Sequence, residues 1–126
     1  MKIFDTMKAW ADLELKSINR DGKSIKINER IIIRWYFFGS CDVCSQAMDL
    51  DDKDFMTLYR QTLKYIGVPK EEIEETISIW MLDKISQQEI FIINEGAHHF
   101  ANFKGDITKS GGLKACFVKL SDKLKA

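Results

Sequence analysis

The sequence predicts an α+β fold: an antiparallel sheet of about five strands with helices packed over one face. Three observations carry that expectation. Residues 31–38 and 90–93 are almost unbroken apolar runs, rich in β-branched and aromatic side chains, as in strands buried on both faces. Gly22 and Gly96 each close a short turn, Arg20-Asp21-Gly22 and Asn94-Glu95-Gly96, between segments that read as hairpin arms. Elsewhere apolar residues recur at three-to-four spacing, the period of an amphipathic helix. The alternative is an all-α bundle. In it Asn28 caps a long buried helix over residues 29–48, and the helix that starts at Pro69 runs on past Ile85 to Glu95. Short apolar runs do not by themselves separate helix from strand.

Along the chain, a first helix covers residues 3–11, with Ile3, Met7 and Trp10 on one side. Residues 13–19 and 24–28 pair through the Gly22 turn, in the register that places Leu13, Leu15, Ile25 and Ile27 on one face. Residues 31–38 form a central strand that ends at Gly39. A second helix covers residues 52–66. Phe55, Leu58, Tyr59, Leu63 and Ile66 face inward, Asp51 or Asp52 caps its start, and Gly67 ends it. A third helix starts at Pro69, carries Glu71, Glu72, Glu74 and Glu75 near its positive end, and has Ile73, Ile77, Trp80 and Met81 as its apolar stripe. Residues 89–93 and 97–104 form a second hairpin. A last helix covers residues 112–124, capped by Ser110.

The chain has 126 residues, 45% of them apolar, with Pro69 its only proline. That excludes collagen-like and low-complexity chains and suits one domain over residues 1–126 with a real core. No apolar stretch reaches the roughly 20 residues of a membrane span, and no leader pattern is visible, so a cytoplasmic protein is expected. An odd number of cysteines fits free thiols in a reducing compartment. Nineteen basic and nineteen acidic side chains cancel, yet residues 51–94 carry −4 and residues 95–126 carry +3. Without an overall basic excess, nucleic acid is not an expected partner.

Cys41-Asp42-Val43-Cys44 is the sharpest local motif. It follows an expected strand and opens a helical turn, where a helix N-terminus lowers a thiol pKa. Strand, Cys-x-x-Cys, helix, with a hairpin and terminal helix over residues 89–124, resembles the thioredoxin-like proteins. The resemblance implies thiol–disulfide exchange, with Cys41 attacking and Cys44 resolving. The sequence departs from that family in three places. Ser86, Gln87 and Gln88 stand where the family carries a cis proline, Ser40 stands where a tryptophan often precedes the first cysteine, and residues 51–85 read as two helices.

The same cysteines, with His98, His99 or Cys116, make a second reading, a zinc-stabilised domain. Glu95-Gly96-Ala97-His98 supplies one copy of a spacing that carboxylate di-iron sites need twice. Residues 49–54 lack the glycine and the closing glutamate of a calcium loop and read as a helix cap. Ser110-Gly111-Gly112-Leu113-Lys114 could cradle an anion but is not a phosphate loop. No metal and no cofactor is therefore expected.

Arg34 stands inside an apolar run and must meet a carboxylate, such as Glu29 or Asp42, or reach a polar pocket. Fourteen aromatics in a chain this size leave some to line a cleft. The leading reading is a non-enzymatic binding protein, with Arg34, Trp35, Tyr36, His98 and Phe100 around a small molecule or peptide. The uncovered face of the sheet, or the exposed edge of the 31–38 strand, would be covered by a second copy, which gives a homodimer.

Overall fold

Asp51 opens a helix by accepting a hydrogen bond on Oδ1 from the Asp54 N–H at 2.8 Å, and Gly67 closes it in the left-handed region at φ 105°. That helix, Asp52–Ile66, is one of six in the computed structural model, which describes residues 2–18, 25–103 and 111–120. In order they are α1 (Lys2–Ser17), α2 (Ile27–Ala47), α3 (Asp52–Ile66), α4 (Lys70–Met81), α5 (Gln87–Phe103) and α6 (Gly112–Leu120). Among the described residues there is no strand. The fold is the all-α bundle, and the α+β expectation is overturned.

The reason lies in α2. It packs against each of the other five described helices, and every residue from Ile32 to Cys41 is buried. A helix covered on all sides has no polar stripe, so its 3.6-residue period disappears from the sequence. Tertiary burial then overrides the strand preference of Ile31, Ile32 and Ile33. Its start is marked by the Lys26 N–H donating to Glu29 Oε1 at 3.0 Å.

The second expected hairpin is also a helix. Ser86 Oγ accepts from the Glu89 N–H at 3.1 Å, and the Ser86 N–H donates to Glu89 Oε1 at 2.8 Å. This reciprocal cap launches α5, and Gly96 sits in its middle rather than at a turn. Gly96 is there because α5 lies on α2. A Cβ on Gly96 would stand 1.9 Å from the Tyr36 carbonyl oxygen, and one on Gly39 would stand 1.9 Å from that of Ile93. Only hydrogen at both points lets the two backbones meet.

The first expected hairpin fails differently. Residues 13–17 continue α1, residues 27 and 28 belong to α2, and the Gly22 turn lies outside the described residues. Ser110, the expected cap of α6, lies outside them too. The Glu14 carboxylate of α1, fully buried, serves α6 instead: it accepts from the Gly111 N–H and, at 2.8 Å, from the Leu113 N–H. With no strand among the described residues, the sheet face and the strand edge on which the homodimer argument rested are gone.

The pair that matters below is α3 and α4. Residues 67–69 connect them, so they pack as an antiparallel hairpin. Their inner faces bury Phe55, Leu58, Tyr59, Leu63, Ile73 and Ile77, and their outer seam faces solvent.

Candidate functional site

Consecutive residues of a helix point about 100° apart, and this scatters the expected ligand-binding set. Arg34 points to α4. Its Nε donates to Thr76 Oγ1 at 2.8 Å, and its terminal nitrogens lie 3.5 Å from Glu72 and 3.6 Å from Glu75. The arginine meets carboxylates, as its burial demands, but those of α4 rather than Glu29 or Asp42. Trp35, fully buried, packs on Phe38 with ring centroids 5.5 Å apart. Tyr36, also fully buried, stacks on Trp10 at 6.5 Å, and Phe100 meets the same Trp10 ring edge-on at 5.6 Å. His98 is exposed beside Asn102, not among apolar neighbours. Among the described residues these five do not share the lining of one groove: Arg34 turns to α4, Trp35 to Phe38, Tyr36 and Phe100 to Trp10, and His98 to the surface.

Cys41 and Cys44 lie deep in α2, one turn apart and far from its N-terminus at Ile27. The helix-end activation that the sequence suggested is absent. Cys41 is fully enclosed, its Sγ 3.8 Å from Thr62 Oγ1, and burial pushes its thiol strongly up. Burial raises Cys44 as well. Cys116 on α6 is pushed up to about 12, first by burial and then by the nearby Glu95 and Glu14 charges. Thiols held this far from ionisation are poor nucleophiles at neutral pH. Among the described residues no three His, Cys, Asp or Glu side chains gather as a metal-holding group, and His99 lies 3.4 Å from Glu95 one turn away.

Among the described residues a concave feature runs along the seam between α3 and α4. At its α4 N-terminal end Arg60, Lys64, Val68, Lys70, Ile73 and Glu74 line a groove of about 650 Å³. Val68 and Ile73 are buried and form the floor; Arg60, Lys64 and Lys70 stand exposed on the rim. Arg60 grips Glu74 with two parallel bonds, Nε to Oε2 and a terminal nitrogen to Oε1, each 2.9 Å. That grip holds the Glu74 carboxyl below its usual range. Lys64 and Lys70 form no ion pair with a described residue. At the other end Asp52, Met56, Trp80 and Met81 line a shallower hollow of about 320 Å³. Trp80 is held there by ring contacts to Phe38 and Phe55, at 5.5 and 5.2 Å.

Sequence reasoning missed this seam. The signal was present: Arg60 and Lys64 are four apart on the wet face of an amphipathic helix, and Lys70 follows the Gly67–Pro69 turn. The net acidity of residues 51–94 hid them. Among the described residues no helix is long and apolar enough to cross a membrane. No family model matches the chain, and no curated protein and no solved structure matches it either.

Proposed function

We propose that this is a non-enzymatic binding protein whose α3–α4 groove takes an amphipathic carboxylate, an anionic head on an apolar body. One observation carries the reading: three cations ring an apolar floor on the outer surface, while the one carboxylate that lines it, Glu74, is gripped by Arg60 and also feels the charge of Lys70, so the groove holds more positive than negative charge. Lysine stems extend apolar surface along the floor while their ammonium groups stay in water, which suits an occupant of the same mixed character. The ligand's head would lie between Lys64 and Lys70 and compete with Glu74 for the fork of Arg60. Its body would cover Val68 and Ile73. The groove's one carboxylate is committed to Arg60, and no nucleophile paired with a base lines it, which favours binding over catalysis.

Octanoate is the probe. A titration followed by amide NMR should move residues 60–74 with a Kd in roughly the millimolar range, as about ten heavy atoms allow. Octanamide, uncharged, should bind several-fold more weakly. Lys64→Glu with Lys70→Glu should weaken octanoate about tenfold. Octanoate shifts that do not saturate, or that survive the double charge reversal, reject the reading.

A further inference from the structure

The groove is one end of a longer seam. On α3 the basic end is lined at positions 60 and 64 and the second hollow at 52 and 56; on α4 the corresponding positions are 70, 73 and 74 against 80 and 81. Both helices therefore place the two centres about eight residues apart, roughly 12 Å at 1.5 Å per residue. The ends carry opposite charge. Arg60, Lys64 and Lys70 outweigh Glu74 at one, while Asp52, with the exposed Asp51 and Asp54 beside it in sequence, outweighs the intervening Lys53 at the other. Both floors are apolar, and Met81 is 67% exposed at the second. A small carboxylate fills only the first end.

From this spacing and polarity we infer that the occupant of the whole seam is an amphipathic helical peptide, a conclusion that rests on the basic groove being a carboxylate site. The peptide is acidic in its first turn and basic in its last. It carries large apolar side chains three and seven residues after the leading acid, positions that share one helix face. It lies parallel to α4, with its acids against Lys64 and Lys70, an apolar anchor over Trp80 and Met56, and its bases toward Asp52. The opposite orientation sets like charges together at both ends, so charge fixes the direction of docking. The same arrangement places the peptide's acids at its own positive helix end. The mode is helix-in-groove recognition with two polar clamps.

The test uses an alanine-based peptide of about sixteen residues, long enough to hold a helix. It has two glutamates in the first turn, leucine and phenylalanine three and seven residues after the second, and two lysines in the last turn. A twin has the glutamates and lysines exchanged. The first peptide should bind at least about tenfold more tightly than its twin by fluorescence anisotropy. Lys64→Glu with Lys70→Glu should abolish that preference. Binding should also lower iodide quenching of tryptophan fluorescence, because Trp10 and Trp35 are fully buried and Trp80 alone is reachable. Equal affinity for the two peptides, or binding that leaves Trp80 quenchable, overturns the inference. Should octanoate bind while the peptides behave alike, the groove reading stands and the peptide falls; should octanoate also fail, both fall.

Discussion

Between α2 and α5 the backbones touch, whereas between α3 and α4 long charged side chains bridge the outer seam. The first contact is built from what is missing, the Cβ atoms of Gly39 and Gly96. One chain of hydrogen bonds closes inside it: the Trp10 indole N–H donates to Ser40 Oγ at 3.0 Å, and that hydroxyl lies 3.0 Å from the Gly96 carbonyl it can donate to. The second is built from what is long, Arg60 reaching Glu74 across the seam and lysines standing at its rim. Close approach removes every void a ligand could use. The groove therefore opens where small residues give way to charged ones, on the outer pair.

The largest expected effect breaks the first contact. Gly96→Ala improves helix propensity by about 1 kcal/mol, yet it drives a methyl into the Tyr36 carbonyl and must push two backbones apart. A net loss of about 3 kcal/mol is expected from urea unfolding, at the upper end of overpacking costs. Gly67→Ala is the comparison. That glycine is exposed at φ 105°, where alanine is strained by its backbone conformation, and a loss of about 1 kcal/mol is expected. Equal losses at the two sites would show that α2 and α5 do not meet as closely as described.

The same contrast explains what the sequence made legible. In α3 and α4 one face is wet, so the apolar stripe, the Asp51 cap and the Gly67 stop can all be read, and the helix over residues 52–66 lies where the pattern places it. In α2 and α5 burial removes the stripe, and the glycines that let them touch look like turn glycines. One local signal contradicted the hairpin: Ser86-Gln87-Gln88-Glu89 has the spacing of a reciprocal helix cap. At the level of sites, Arg34's need for a carboxylate was readable from its chemistry alone. Its partners were not, because Thr76 stands 42 residues away and only the bundle brings α4 to α2.

A smaller effect separates buried from exposed charge on α4 itself. Glu72 binds Arg30 through both oxygens and approaches the buried Arg34. The Arg30 hydrogen bonds hold its carboxyl below the usual range, against a burial that raises it. A folded-state pKa below the unfolded one adds stability that is fully present above about 4.5 and is lost as pH falls through the lower folded value. Glu72→Gln should cost about 2 kcal/mol at pH 7, because Arg30 loses its carboxylate and the buried Arg34 keeps only Thr76 and the solvent-exposed Glu75. It should also flatten the decline of the urea midpoint as pH falls below the ordinary glutamate range, where this carboxyl takes up its proton. A variant that declines as steeply as the wild type would assign the acid sensitivity to other carboxylates.

The smallest stability effect belongs to Glu74, two residues on, and it is the one that joins the comparison to function. Its pairing with Arg60 has bidentate geometry, but both side chains are more than two-fifths exposed. Water and salt screen such a pair, so Glu74→Gln should shift stability by no more than about 0.5 kcal/mol. Its effect on the groove should be larger than its effect on the fold. Glu74 is the internal competitor for the Arg60 fork, and removing its charge leaves that fork to an incoming carboxylate. Octanoate should then bind about threefold more tightly at low salt, with the gain shrinking as ionic strength rises. A Glu74→Gln protein that binds octanoate no better than wild type would mean that Arg60 takes no part in holding the head group, leaving Lys64 and Lys70 as its only clamps.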